Sequence, residues 1–593
     1  MISQFVVGID LGTTNSVVAY APLEAEEPQV QLLPIPQIVA AGTVESRTSL
    51  PSFIYIGTEE EASSFQLPWG GGRRVVGEFA RRQSADVPHR TVVGAKSWLA
   101  NSRVDRHQPI LPWDAPEDVD RISPVEASRE YLSHLIAAWN HAMPDSPLDQ
   151  QQVVLTVPAS FDAAARDLTR EAAFTAGLPG DFVLLEEPQA AVYAWLVQMG
   201  ERWRKSLNTG DTLLVFDVGG GTTDLTLVTV AEEGGELMLN RKAVGNHLLV
   251  GGDNMDLALA HYAAGLFKEK GHDLNAWQSV SLWHSCRHAK ETLLAPEGPD
   301  KQTISIAGRG SKLIGGAVKA EVERDAAADL LINGFFPQCK LSDKPKRQMV
   351  SGFQEIGLPF ESDTGITRHV AGFLSAHGED SGEPIRPTHV LFNGGVFKSD
   401  ALRGRLLEVI GSWFKKDETP VPLSGEHDLE NAVARGAAYY AFAKSHGGVR
   451  IRGGTARSYY VGIETAGLAV PGAPRPLKAL CVVPIGMEEG TDTDVPSGEF
   501  GLVVGEAAKF RFFSSSVRKQ DQPGDLISQW DEEEIVETDS LEATLEAVEG
   551  IDEPYVPVRF QSRITELGVF ELWCVHRESD NRWKLEFSVR DQD

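Results

Sequence analysis

FVVGIDLGTTNSVVAYA, beginning at Phe5, and LLVFDVGGGTTDLTLVTV, beginning at Leu213, decide how this chain folds. Each reads as an apolar strand, an aspartate, one residue, glycine, Thr-Thr, an amide or carboxylate, and a second apolar strand. One such turn is common. Two copies in the same strand-turn-strand context predict two related lobes. The glycines let backbone approach a ligand closely and set successive N–H groups on one side, which makes an anion-binding nest. The threonine hydroxyls add donors, and an aspartate at a strand end suits a hydrated Mg²⁺. Two such turns facing each other would grip a nucleoside triphosphate from both sides. No G-x-x-x-x-G-K-[ST] is present, so the P-loop enzymes are excluded.

Outward from the repeat, strands and helices mix to about residue 445. Residues 153–157 form a short strand that stops at Pro158. A helix is expected from Ser160, as N-cap, to Ala176, with Gly177 closing it. VLF at 390–392 precedes Asn393-Gly394-Gly395 and then a helix, and Asp428 is expected to cap a last helix reaching about Lys444. SHGGVRIRGG, residues 445–454, reads as a linker, after which short apolar runs alternate with Gly, Pro and charged turns. The expected organisation is a two-lobed α/β unit over 1–445, a linker over 446–458 and a mostly-β unit over 459–593. Residues 525–553 hold 12 acidic side chains and no Lys or Arg, and read as a solvated loop or insertion.

Composition excludes more than it suggests. Against 84 Asp and Glu there are 55 Lys and Arg, a net charge of −29, which argues against nucleic acid and anionic membrane surfaces as partners. The four cysteines, Cys286, Cys339, Cys481 and Cys574, form no C-x-x-C pair, so neither a disulfide framework nor a zinc knuckle is expected. MISQFVVGID has no basic stretch ahead of an apolar one, and no apolar run approaches a membrane span. These features predict a cytoplasmic protein in a reducing compartment.

The motifs together resemble the DnaK-type, seventy-kilodalton heat-shock chaperone family within the actin and sugar-kinase superfamily. GIDLGTTNS and DVGGGTTDLT are similar to its two phosphate motifs, TVPASF and LLEEPQAAVYAW to its hinge and connecting segments, and VLFNGGVFKSDALR and ENAVARGAAYYAF to its adenosine-side motifs. The resemblance covers about residues 5–445. It implies an actin-like ATPase domain built on a ribonuclease-H-like repeat, followed by a substrate-binding β-sandwich, with ATP or ADP, Mg²⁺ and K⁺ as cofactors. By the same resemblance, Asp10 and Asp217 hold Mg²⁺ mostly through water. Gly12, Thr13 and Thr14 meet the phosphates from the first lobe, and Gly219, Gly220 and Gly221 from the second. Thr222 and Asp224 organise water and a monovalent cation, with Asp224 counted among the metal-binding residues. Lys96 corresponds to the essential lysine, and Glu187 to the catalytic carboxylate. Pro158 and Arg166 match a proline switch and its relay. Gly251, Gly252 and Asp253 match a loop near the phosphates, while Gly394 and Gly395 face the adenosine. Of the family's adenine-side helix only Lys290 is retained; Arg287, Glu291 and Leu294 stand at its other positions.

Other departures matter for function. The family's acidic, leucine-rich linker is replaced by the basic, Gly-rich GGVRIRGG, which buries less apolar area and predicts weak interdomain coupling. Phe182 and Val183 stand where the family has a basic pair, which argues against activation by a J-domain partner. YYVGIET at 459–465 resembles the start of the peptide-binding domain and ITELGVFELWCV its last strands, but the sequence stops at Asp593 without a helical lid. Trp573 and Trp583 are expected in the core of this part. Residues 352–377 match no family landmark and read as an addition to the upper second lobe. The leading expectation is a chaperone-like ATPase whose nucleotide state controls binding of unfolded or extended polypeptides. The alternative is a nucleotide-dependent regulatory or scaffold protein with one dedicated partner and weak or no hydrolysis.

Overall fold

The structure is a computed structural model. It describes residues 3–588 apart from 102, 114, 234–235, 246–247, 307–316, 347–357, 359–360, 379–382, 416–417, 424, 426–427, 450, 453–454, 456, 466–475, 516–517, 519, 532–533, 546–554, 567–568 and 580. The chain divides into two compact units, Met1–Arg450 and Ile451–Asp593.

The first lobe of unit one is built on β1 (Phe5–Leu11) and β2 (Asn15–Pro22), an antiparallel hairpin across the first glycine-threonine turn. β3 (Gln152–Val157) lies parallel to β1 on its other side, and β4 (Val183–Glu186) lies parallel to β3. Val6, Val7 and Ile9 have no exposure, so β1 is buried on both faces and reads as a continuous apolar run. Three helices serve the site: α1 (Ala95–Leu99), α2 (Ala163–Ala176) and α3 (Glu187–Met199). Helix α2 starts later than the sequence suggested. Asp162, not Ser160, is its N-cap and accepts from the Ala165 N–H at 2.7 Å, while Gly177 closes it in a left-handed conformation at φ 104°.

The second lobe repeats the plan. β5 (Thr212–Val218) and β6 (Thr223–Glu233) form the second hairpin, β7 (Glu236–Val244) continues it, and β8 (His389–Asn393) lies parallel to β5. Helices α4 (Gly252–Glu269), α5 (Ala276–Leu294) and α6 (Asp400–Gly411) flank this sheet. Of residues 352–377, part lies outside the described residues. The rest includes a helix, Ile366–Ala376, whose Ile366, Val370 and Leu374 are fully buried in the second lobe's core. Helix α7 (Ala432–His446) returns to the first lobe, its N-cap being Asn431 rather than Asp428. It lies so close to β1 that a Cβ on Gly8 would meet Ala438 N at 2.3 Å and Ala434 O at 2.4 Å.

In unit two every named element after Arg452 is a strand. One antiparallel sheet has β9 (Ser458–Glu464), β10 (Leu477–Val483), β12 (Ala507–Ser515) and β13 (Val536–Thr544); the other has β11 (Thr491–Leu502), β14 (Val556–Ile564), β15 (Val569–His576) and β16 (Arg582–Ser588). Tyr459, Val461 and Phe512 from the first meet Phe560, Phe570 and Leu585 from the second in one apolar cluster. The acidic segment is therefore not all loop. Val536–Thr544 pairs with β12, and Glu537 meets Arg511 across the ladder. Its residues 532–533 and 546–553 lie outside the described residues, as do four of the linker expected at 446–458. Trp583 is in the core at 7% exposure, but Trp573 is not a core residue, with Arg582 lying 4.5 Å over its ring. Among the described residues, no helix is long and apolar enough to cross a membrane.

Candidate functional site

Because both lobes use the same hairpin, both place an aspartate at the same strand end. Asp10 ends β1 beside β3, and Asp217 ends β5 beside β8. The two glycine-threonine turns face each other. A Cβ on Gly220 would sit 2.1 Å from Thr14 Oγ1, and one on Gly221 would sit 2.6 Å from Ser97 Oγ and 3.2 Å from Thr13 Cγ2. A side chain at either position would have to displace the hydroxyls of Thr14 or Ser97. Gly394 is required by its backbone, with φ 87° and a would-be Cβ 2.2 Å from Val218 O.

Between the turns lies a cavity of about 530 Å³. Its wall includes Asp10, Gly12, Thr13 and Thr14 from the first lobe, with Lys96 and Glu187. From the second come Asp217, Gly219, Gly220, Thr222 and Asp224, then Gly252 and Lys290, and finally Gly394 and Gly395. Two sequence candidates stand behind this wall. Gly221 packs on Thr13 and Ser97, and Gly251 backs the second turn, where a Cβ would lie 2.7 Å from Gly220 O. Arg287, Glu291 and Leu294 also face the cavity.

Lys96 is 8% exposed and donates to Glu187 Oε1. Glu187 is the first residue of α3, so the helix N-terminus favours its negative charge. Burial alone would depress the Lys96 ammonium, but Glu187 and Asp10 outweigh it and raise its pKa. The carboxyls move the other way. Burial, then the charge of Glu187, raises Asp10 to about 7, with Lys96 and a 3.2 Å bond from Thr156 Oγ1 opposing. Burial and Glu187 raise Asp217 to about 8 against a 2.7 Å bond from Asn393 Nδ2. Burial likewise raises Glu187 and Asp224. Four buried or half-buried carboxyls around one ammonium leave an excess of negative charge that a divalent cation would neutralise. Among the described residues no three His, Cys, Asp or Glu side chains converge tightly enough to ligate a bare ion. An all-carboxylate donor set suits a hard divalent cation such as Mg²⁺, which keeps most of its waters.

Several of the partners that hold these residues were not legible in the sequence. Ser160, read as a helix cap, donates instead to Asp224 Oδ1. Arg287 binds Asp253 at 2.6 Å and Asp256 at 3.0 Å, and its guanidinium lies 5.4 Å over the Phe53 ring of the first lobe. Lys290 pairs with Asp256 at 2.6 Å and donates to Gly252 O at 2.9 Å. Arg166 donates to Ala159 O at 3.1 Å, next to Pro158, and reaches fully buried Glu186 at 3.9 Å, where Arg241 also binds at 3.1 Å. The only signal for Glu186 and Asp256 was a charged residue inside an apolar pattern, which marks many ordinary positions as well.

Residues 6–330 match the sequence model of the Hsp70 protein family. The chain is similar to a chaperone protein dnaK of Phaeodactylum tricornutum, 27% identical over 444 residues that cover 71% of this chain and 64% of the relative. It is also similar to a chaperone protein HscA homolog of Methylibium petroleiphilum, 31% identical over 319 residues, covering 51% and 44%. The chain thus spans less than two thirds of the length of these curated relatives.

Proposed function

The chain belongs to the Hsp70 protein family, and from that premise we propose that it is a chaperone-type ATPase whose actin-like unit binds and slowly hydrolyses Mg-ATP. The observation that carries this reading is the pair of facing hairpin turns, with the Lys96–Glu187 pair beside them in one cavity. Mg²⁺, when bound with the nucleotide, would neutralise charge on the phosphates. Asp10 and Asp217 would hold it through water, and Asp224 with Thr222 would order a nearby K⁺ or water. Gly12, Gly219 and Gly220 bring backbone close enough to donate to phosphates, with the hydroxyls of Thr13 and Thr14 adding to them. Lys96 would stabilise negative charge on the transferring group, while holding Glu187 where it orients the attacking water.

The second half of the proposal is that nucleotide state controls the affinity of the β-rich unit for an extended polypeptide, bound through main-chain hydrogen bonds and apolar pockets. A cytoplasmic location belongs to the same proposal. Mg-ATP turnover by the purified protein tests the first half. Asp10→Asn and Lys96→Ala should each abolish it, and parent-like turnover in both variants would refute the site. The basic, Gly-rich GGVRIRGG segment favours a second reading, a nucleotide-dependent regulatory or scaffold protein with weak or no hydrolysis. Affinity capture separates the two: one stoichiometric partner supports the second, and a broad mixture of unfolded chains supports the first.

A further inference from the structure

Glu186 and Glu187 are neighbours where β4 ends and α3 begins, yet they serve different surroundings. Glu187 lines the cavity and accepts from Lys96. Glu186, in extended backbone at φ −71° and ψ 134°, has no exposure and makes no cap bond to α3 with its side chain. A carboxylate buried that completely is tolerated only when it is paired and hydrogen-bonded. Gln189 Nε2 donates to it at 3.3 Å, and Arg166 of the first lobe reaches it at 3.9 Å. The closest cation comes from the second lobe: Arg241 Nη1, on β7, lies 3.3 Å and 3.1 Å from its two oxygens.

An irregularity in β7 aims Arg241 at this carboxylate. Residues directly opposed on paired strands share a face of the sheet. Ala243 is opposed to Leu227, and both belong to the second lobe's apolar core. In a regular strand Arg241, two residues earlier, would point into that same core. The register shifts between Leu227 and Val228, so that Lys242 is passed over and Arg241 is opposed to Val228 on the other face. A bulge of this kind re-aims a side chain, and bulges are over-represented beside active sites.

We propose that Arg241 is a positioning residue for hydrolysis, an inference that rests on the ATP reading above. It acts through Glu186, which shares a peptide bond with Glu187, the carboxylate assigned to the attacking water. Arg166 by itself balances the charge of Glu186. A second guanidinium, brought from the other lobe by a bulge, therefore adds geometry rather than neutrality. It ties the end of β4 to the second lobe, so the direction in which Glu187 points depends on where that lobe sits. Loss of Arg241 leaves the Glu186–Arg166 pair neutral and frees the orientation of its neighbour.

The test compares Arg241→Met and Arg241→Lys with the parent, in the full chain, by single-turnover hydrolysis of Mg-ATP and by calorimetric titration with Mg-ADP. In Arg241→Met the hydrolysis rate constant should fall about tenfold to a hundredfold while Mg-ADP affinity stays within about twofold. Arg241→Lys, which keeps the charge and a donor, should recover part of the loss. A merely structural pair would lower the thermal midpoint and leave the rate constant of the folded protein unchanged. That result, equal losses of rate and Mg-ADP affinity, or a lysine variant as slow as the methionine one would each overturn the inference. Should Arg241→Met not fold, Arg241→Lys carries the test, and a parent-like rate in it would overturn the inference. A parent that binds no Mg-ADP sinks the nucleotide reading and this one with it. A parent that binds Mg-ADP and turns over no Mg-ATP, or a variant as fast as the parent, sinks only the role of Arg241.

Discussion

Gly436→Ala should destabilise unit one by about 2 kcal/mol, and the sign is not obvious from the sequence. In the middle of α7, alanine gains about 1 kcal/mol of helix propensity over glycine. Against that, a Cβ at 436 would lie 1.7 Å from Ala190 O and 2.9 Å from Ala194 N, a carbonyl and an amide one turn apart in α3. Ordinary contact needs roughly twice the first distance, so the helices must separate by about 1.5 Å in an interior packed like a crystal. Overpacking costs about 1–3 kcal/mol, and the upper end applies because the obstacle is backbone with no rotamer to change. The steric cost wins. Gly404→Ala in α6 is the control: its Cβ would meet nothing within 4 Å, so it should stabilise by up to about 1 kcal/mol. Calorimetric or urea unfolding of the full chain reads both. Because α3 starts at Glu187, ATP turnover should also fall in Gly436→Ala and not in Gly404→Ala. A Gly436→Ala protein as stable as the parent would refute the packing of α3 against α7, and with it the account of how Glu187 is positioned.

Other outcomes follow from the same physics. Arg287→Met removes the guanidinium that holds Asp253 and Asp256, the latter 1% exposed, and should cost about 3 kcal/mol in urea unfolding; a loss below about 1 kcal/mol would contradict the buried network. Arg511→Ala breaks the Glu537 pair, whose partners are 39% and 37% exposed, and should shift stability by less than about 1 kcal/mol, shrinking further in salt. His134 is buried, its Nε2 donating to Pro36 O at 2.9 Å, and burial depresses its pKa to about 4 from 6.5. The unfolded chain therefore binds the proton more readily. The stability from the neutral ring is whole above about pH 6.5 and is lost as pH falls toward 4, on the order of 3 kcal/mol in all. His134→Gln should flatten that part of the pH–stability curve, and an unchanged slope would count against the assignment.

How much was readable without coordinates depends on how local the cause is. Strand β1 was legible because Phe5–Leu11 is apolar up to Asp10, and the second hairpin for the same reason. Helix α2 was legible in existence but not in its start, because Ser160 and Asp162 are both good caps. What chose between them was a carboxylate 64 residues away, Asp224, which takes the Ser160 hydroxyl. Asp428 and Asn431 posed the same problem at α7, where the aspartate supplies its carbonyl to Ala432 N and leaves the cap position to the asparagine. The acidic run after 525 looked like loop because its charge masked a strand, Val536–Thr544, whose partner β12 carries the matching arginine.

By itself the sequence determined the repeat, the order of the two hairpins, the change to β structure near residue 458 and the residues of the two glycine-threonine turns. Those follow from period, turn chemistry and motif, which are written in neighbouring residues. Only the tertiary structure decided that Gly221 and Gly251 stand behind the cavity wall while Arg287 stands in it. It alone set Asp10 near 7 and Asp217 near 8. Burial and the distance between charges from different lobes fix these properties, and neither exists until the chain has closed on itself.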